Sequence, residues 1–161
     1  MQRADSSAAL SGVAAAVALV TVRDGRDDIG TTVTAFCPVS MDPPLVLVSI
    51  MGESYLAEVL GRCDSFAVTV LGTGQRALAG RFAAAGRPSA RLLLDTVPHQ
   101  RGGDSGALIP DGGLAALECR AGQRLPAGDH LLVIGEVTGV PYVSDSARPL
   151  VRFRGRYPAL G

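Results

Sequence analysis

The chain has 161 residues, enough for one domain with a genuine core, and its 15 basic and 15 acidic residues cancel. With 19% charged residues and no net charge, it has no single-sign field to steer it onto nucleic acid or an anionic membrane. Every basic residue is Arg, and the absence of Lys excludes both a Schiff-base lysine and a phosphate-loop lysine.

The first apolar run, Ala8 to Val22, follows Asp5 and has no strongly basic stretch ahead of it, so it reads as part of the fold and not as a signal peptide. It is also too short and too rich in Ala for a membrane span. Ala14 to Val22 predicts a strand, and Arg23 to Asp28 a polar turn carrying Gly25. Thr31 to Phe36 and Leu45 to Ile50 predict two further strands, the second a continuous apolar run expected to be buried on both faces. Ser54 is placed to cap a short helix through Leu60. Phe66 to Leu71 reads as a strand, and Thr73 as the cap of a second helix ending near Ala83. Ala84 to Gly106 has weak periodicity and predicts a long loop. Gly113 to Arg120, Leu131 to Val143 and Leu150 to Tyr157 complete a strand-rich second half. Six or seven strands with two short helices predict a mainly β domain, a closed or nearly closed antiparallel Greek-key barrel with no repeat and no dividing linker.

Cys37, Cys63 and Cys119 are odd in number and widely spaced, which suits a reduced compartment, so cytoplasm is expected. These thiols and the two histidines, His99 and His130, lack the short paired spacings of a zinc site, and no metal is expected. No Rossmann fingerprint is present, so a nicotinamide nucleotide would have to be held in another way. Gly103-Asp104-Ser105-Gly106 spells the nucleophile loop of chymotrypsin-like proteases. That chemistry needs a His far upstream, whereas His99 lies six positions before Ser105 and His130 lies after it. The motif is expected to be a Gly-rich turn.

The stretch Gly30-Thr31-Thr32-Val33-Thr34-Ala35-Phe36-Cys37-Pro38-Val39-Ser40-Met41-Asp42-Pro43-Pro44-Leu45-Val46-Leu47-Val48-Ser49-Ile50 resembles the signature of the short-chain flavin reductases of two-component monooxygenases. Phe66-Ala67-Val68, Arg81-Phe82-Ala83, Leu114 to Cys119, Gly128-Asp129-His130 and Pro149 to Tyr157 extend the likeness in register over residues 12 to 157. The resemblance implies an FMN-binding split barrel, a homodimer, and reduction of free FMN or FAD by NADH or NADPH for a partner monooxygenase. It implies flavin contacts at Thr32, Val33, Thr34, Ala35, Phe36, Cys37, Ser40, Ser49, Ser54, Arg81, Phe82 and Ala83. It also implies that His130 lies beside the nicotinamide.

The residues themselves agree with parts of this. Thr32 and Thr34 on one strand face can offer hydroxyls to the polar rim of a flavin ring. Ser54 at a helix start suits a phosphate, although several members of the family carry a basic residue where this chain has Met51-Gly52-Glu53. A compensating Arg is therefore expected, with Arg81 and Arg87 as candidates. Arg154, Arg156 and Tyr157 are expected to grip the hydride donor's phosphates and ribose. Few aromatic residues are available to clamp a ring, which fits a flavin that leaves. Two other readings share the barrel: a flavin-binding electron carrier without nicotinamide oxidation, and an oxidase related to the pyridoxamine phosphate enzymes.

Overall fold

A computed structural model describes residues 3–161. In chain order the elements are α1 (Arg3–Ser11), β1 (Ala15–Ala16), β2 (Ala18–Asp24), β3 (Asp27–Val33), β4 (Phe36–Met41), β5 (Pro44–Met51), α2 (Tyr55–Leu60) and β6 (Ser65–Val70). A 3-10 turn at Thr73–Gln75 leads into α3 (Arg76–Ala83) and α4 (Ala90–Leu93), followed by β7 (His99–Arg101), β8 (Leu108–Pro110), β9 (Ala115–Ala127), β10 (His130–Val143) and β11 (Val151–Arg152).

Seven strands form one sheet in the order β3-β2-β6-β9-β10-β5-β4, with every neighbouring pair antiparallel. Its two edge strands, β3 and β4, are consecutive along the chain and separated only by Thr34 and Ala35. The backbone N–H of Ser49 on β5 donates to the Ala35 carbonyl at 2.9 Å, so the corner stays tied to β5. The sheet therefore bends round on itself. Period-two alternation sends Ala18, Val20 and Val22 of β2, Val46, Val48 and Ile50 of β5, Phe66 and Val68 of β6, and Val133 of β10 into one inner core. The connection from β5 to β6 crosses β9 and β10, and α2 on that crossing adds Leu56, Ala57, Val59 and Leu60 to the same core.

A second apolar cluster lies on the outer side of β2 and β3, where Val17 and Leu19 meet Leu78, Ala79 and Phe82 of α3, Leu93 and Leu94 near α4, and Leu108 of β8. Close approach is possible because Gly30 on β3 has no side chain: a Cβ there would lie 2.8 Å from the Phe82 ring. The same outer face carries Asp28, which is 1% exposed. Its carboxylate accepts from Arg101 of β7 at 2.8 Å and from Arg91 of α4 at 3.0 Å. Burial alone would raise this carboxyl, but the two guanidiniums outweigh it and hold the group below the usual carboxylate range.

Several expectations change. Thr31 to Phe36 is not one strand: β3 ends at Val33, the chain turns, and β4 begins at Phe36. Leu45 to Ile50 is not buried on both faces, since burial alternates along β5 and Leu45, Leu47 and Ser49 are half-buried. Ala84 to Gly106 is not a structureless loop, because it contains α4 and the first strand of the β7–β8 hairpin. Leu150 to Tyr157 is a strand only at Val151–Arg152, beyond which Phe153 and Arg156 pair across a turn. The run from Ala8 to Val22 is shared between the end of α1 and the first two strands.

The depressed Asp28 carboxyl gives a stability difference with a defined pH sign. Its folded-state value lies below the unfolded value of about 3.9, so the stabilisation is fully present above that pH and is lost as pH falls through the folded value. Asp28→Asn is expected to lower the unfolding free energy by about 2 kcal/mol at pH 7. In denaturant melts, the gap between wild type and variant is expected to narrow steadily below about pH 4. A gap that stays constant down to pH 2 would show that the charge contributes nothing.

Candidate functional site: a groove at the strand corner

The turn at Thr34–Ala35 opens a groove of about 410 Å³ beside β5, a volume within the range of small-molecule sites. Thr31 to Ala35 form one wall, Ser49, Ile50 and Met51 another, and Ser54, Ala83, Ala85, Arg87 and His130 complete it. Side chains of Ala, Thr and Ser leave the backbone accessible, while buried Val33 and Ile50 supply an apolar floor.

Arg87 is the one cation of permanent charge on this lining. Its Nε donates to the Gly30 carbonyl at 2.9 Å and Nη1 to the Ala84 carbonyl at 3.3 Å, and it has no carboxylate partner among the described residues. Burial pushes its guanidinium downward from the ordinary arginine value, yet Arg remains charged throughout the useful pH range. A half-buried cation held only by carbonyls is ready for an anion. Ser54 is the N-cap of α2, with its hydroxyl oxygen accepting from the Ala57 N–H at 3.1 Å. Its position is shared by the groove and two adjoining cavities.

His130 begins β10 opposite Met51 of β5, just after the Gly128–Asp129 turn, where Gly128 has a φ of +60°. The Gly52 N–H donates to the Asp129 carbonyl at 2.8 Å, fixing this turn against the end of β5. His130 Nδ1 lies 2.7 Å from an Asp129 carboxylate oxygen. That hydrogen bond holds the Asp129 carboxyl below its ordinary range and, in the neutral ring, assigns the proton to Nδ1 and leaves Nε2 as an acceptor.

The expected flavin contacts separate. Thr32, Val33, Thr34, Ala35, Ser49, Ser54 and Ala83 lie together on the groove. Thr32 does not offer a free hydroxyl, because its Oγ1 donates to the Ala79 carbonyl of α3 at 2.7 Å. Phe36 packs against the inner core, and Cys37 and Ser40 continue along β4 away from the lining. Phe82 is fully buried in the outer core, and Arg81 is exposed and off the groove, whereas Arg87 lines it. Thr31, Ile50, Met51 and Ala85 are additional lining residues. Thr31 sits inside the quoted signature and could have been found by the alternation of β3.

The residues expected to bind the hydride donor also part company. His130 borders both the groove and a larger cavity of about 650 Å³. Arg154 lies with Arg152 in a separate cavity that meets the groove only at Thr34. Arg76 and Arg152 each lie over the Tyr157 ring, and neither Tyr157 nor Arg156 lines the groove or the adjoining cavities. Ser105 is no nucleophile: its Oγ donates to Glu118 at 2.6 Å, and the Asp104 and Ser105 N–H groups donate to the same carboxylate oxygen. Burial pushes the Cys119 thiol up to about 12, so it stays protonated. Among the described residues no helix is long and apolar enough to cross a membrane.

Comparison with known proteins places this geometry. The family described as flavin reductase like domain matches residues 10–161. An NADH-dependent FMN reductase of Streptomyces nodosus subsp. asukaensis is 38% identical over 144 residues, covering 89% of this chain and 77% of that protein. The reductase component of 4-hydroxyphenylacetate 3-monooxygenase of Thermus thermophilus is 36% identical over 152 residues, covering 94% and 93%. The structure of an NADH:FAD oxidoreductase of Streptomyces globisporus, solved with NAD and FAD fragments, superimposes with a TM-score of 0.90 at 29% identity, covering 99% of this chain and 93% of that one. With the family pattern running through the groove-forming strands, the chain belongs to the flavin reductase-like family.

Proposed function

We propose that this protein oxidises NADH and reduces free flavin in the groove at the strand corner. The observation that carries the reading is Arg87, a half-buried guanidinium with no carboxylate partner among the described residues, on a groove lined largely by hydroxyls and small side chains. The residues fit a flavin nucleotide. Arg87 and the Ser54 hydroxyl hold its phosphate, while Thr31, Thr34, Ser49 and the accessible strand backbone meet the polar rim of the ring.

Hydride passes directly from the nicotinamide to the flavin and needs no protein group as carrier. The chain's contribution is therefore to hold two planar groups at near-attack distance. His130, locked by Asp129 and by strand pairing with Met51, borders the groove and the neighbouring cavity, and supplies a fixed polar contact for the nicotinamide. Without Trp, and with Phe82 and Phe66 fully buried, little aromatic surface clamps the ring. Such a site suits a flavin that is released as product. We read the chain as one domain acting as a homodimeric split barrel in the cytoplasm and passing reduced flavin to a partner monooxygenase. The likeness to a monooxygenase reductase component supports the last step.

Stopped-flow mixing of protein, flavin and NADH tests the reading, since absence of flavin bleaching would leave only a flavin carrier. Arg87→Ala is expected to weaken FMN binding by about tenfold or more, while Arg81→Ala leaves it within about twofold. Equal losses in a fluorescence titration would remove Arg87 from the phosphate site. For His130→Ala, a fall of about 10- to 100-fold in kcat/KM for NADH is expected, with a much smaller change in flavin affinity. Unaltered steady-state kinetics would sink the assignment of His130.

A further inference from the structure

The cavity of about 650 Å³ beside the groove shares Met51, Ser54 and His130 with it, so a molecule whose reactive end reaches the groove past His130 extends into this space. Its ionisable lining is Glu53, Glu58, Asp129 and His130. His130 is already paired with Asp129, and Glu58 is within 3.5 Å of Arg62. Glu53 is exposed and belongs to no ion pair among the described residues. Arg87, the permanent cation of the groove, does not reach this cavity.

Resting on the reductase reading, we propose that this cavity takes the adenosine ribose of the hydride donor, the one ribose that differs between NADH and NADPH, and that Glu53 selects NADH against NADPH. A carboxylate accepts hydrogen bonds from the vicinal hydroxyls of a ribose, which is how acidic residues recognise NAD in unrelated folds. A 2′-phosphate brings about two negative charges to the same place and removes one of the two donors. It would face Glu53 with no arginine on the lining to neutralise it. The selection acts through repulsion of the unwanted donor as much as through binding of the right one.

The test uses the full-length protein with FMN and measures kcat/KM for NADH and for NADPH in wild type, Glu53→Gln and Glu53→Arg. Wild type is expected to favour NADH by about tenfold or more, Glu53→Gln to narrow the ratio, and Glu53→Arg to narrow it by about tenfold. Calorimetric titration with NAD+ and NADP+ provides a second readout that does not depend on turnover and is expected to follow the same order. A wild type that prefers NADPH, or a ratio unmoved by both substitutions in proteins with unchanged melting temperature, overturns the proposal. If Glu53→Arg fails to fold, the isosteric Glu53→Gln decides. Should no donor reduce flavin at all, the reductase reading falls, and the titrations still decide whether Glu53 discriminates between the two nucleotides.

Discussion

Bending seven strands around one core imposes a single geometric requirement, which is met at Thr34–Ala35. The sheet order leaves β3 and β4 as its edges, yet only two residues separate them in sequence. The chain must therefore change direction there while keeping the Ser49–Ala35 hydrogen bond that ties the corner to β5. A strand that turns stops covering its neighbour, and the uncovered side of β5 becomes the wall of the groove. The groove is thus a consequence of how the sheet turns at this corner. Val33 and Ile50, buried in the same place, belong to the inner core and to the groove floor at once.

Charge is divided across that corner by elements that the seven-stranded sheet itself does not include. Asp28 on β3 anchors α4 and β7 through Arg91 and Arg101, holding the segment that follows α3 on the outer face. Arg87 comes from this segment, and its bond to the Gly30 carbonyl aligns it with the groove two residues along β3 from the Asp28 anchor. A buried carboxylate with two exposed arginines is a modest source of stability by itself, but it fixes where a third arginine stands. At the other side, the β9–β10 turn brings Asp129 and His130 against Met51 and Gly52. Arg87 thus meets the groove from one segment and the Asp129–His130 pair from another.

How much of this could be read from the sequence depended on the range of the interactions involved. Long alternating runs such as β5 and β10 were legible because period-two burial is a local property, although the apolar character of Leu45 and Leu47 overstated their burial. The motif Arg81-Phe82-Ala83 misled for a geometric reason. On a helix, successive residues point about 100° apart, so three neighbours cannot share one surface. Phe82 enters the outer core, Arg81 faces solvent, and Ala83 alone reaches the groove. A four-residue helix and a three-residue strand inside Ala84–Gly106 show no usable period, and they are held by Asp28 from more than 60 positions away. The split between His130 and the Arg154 tail was equally invisible, since two segments matching one family pattern need not meet in space.

The Gly103-Asp104-Ser105-Gly106 loop shows the same distinction between spacing and chemistry in its sharpest form. Its residues do assemble backbone N–H groups around an oxygen, as a protease loop does. Here the oxygen belongs to Glu118, a 5%-exposed carboxylate on β9, and the serine hydroxyl is spent on it as a third donor. Gly102 is required by this cradle, because a Cβ there would collide with the Glu118 carboxylate. Two motifs 13 positions apart, the serine loop of the β7–β8 hairpin and the Glu118-Cys119 pair of β9, are therefore one interaction. A buried acid demands compensation for its lost hydration, and a run of small residues whose amides can converge supplies it. The pattern that first suggested a nucleophile is the means by which a buried carboxyl on the sheet finds its hydrogen-bond donors.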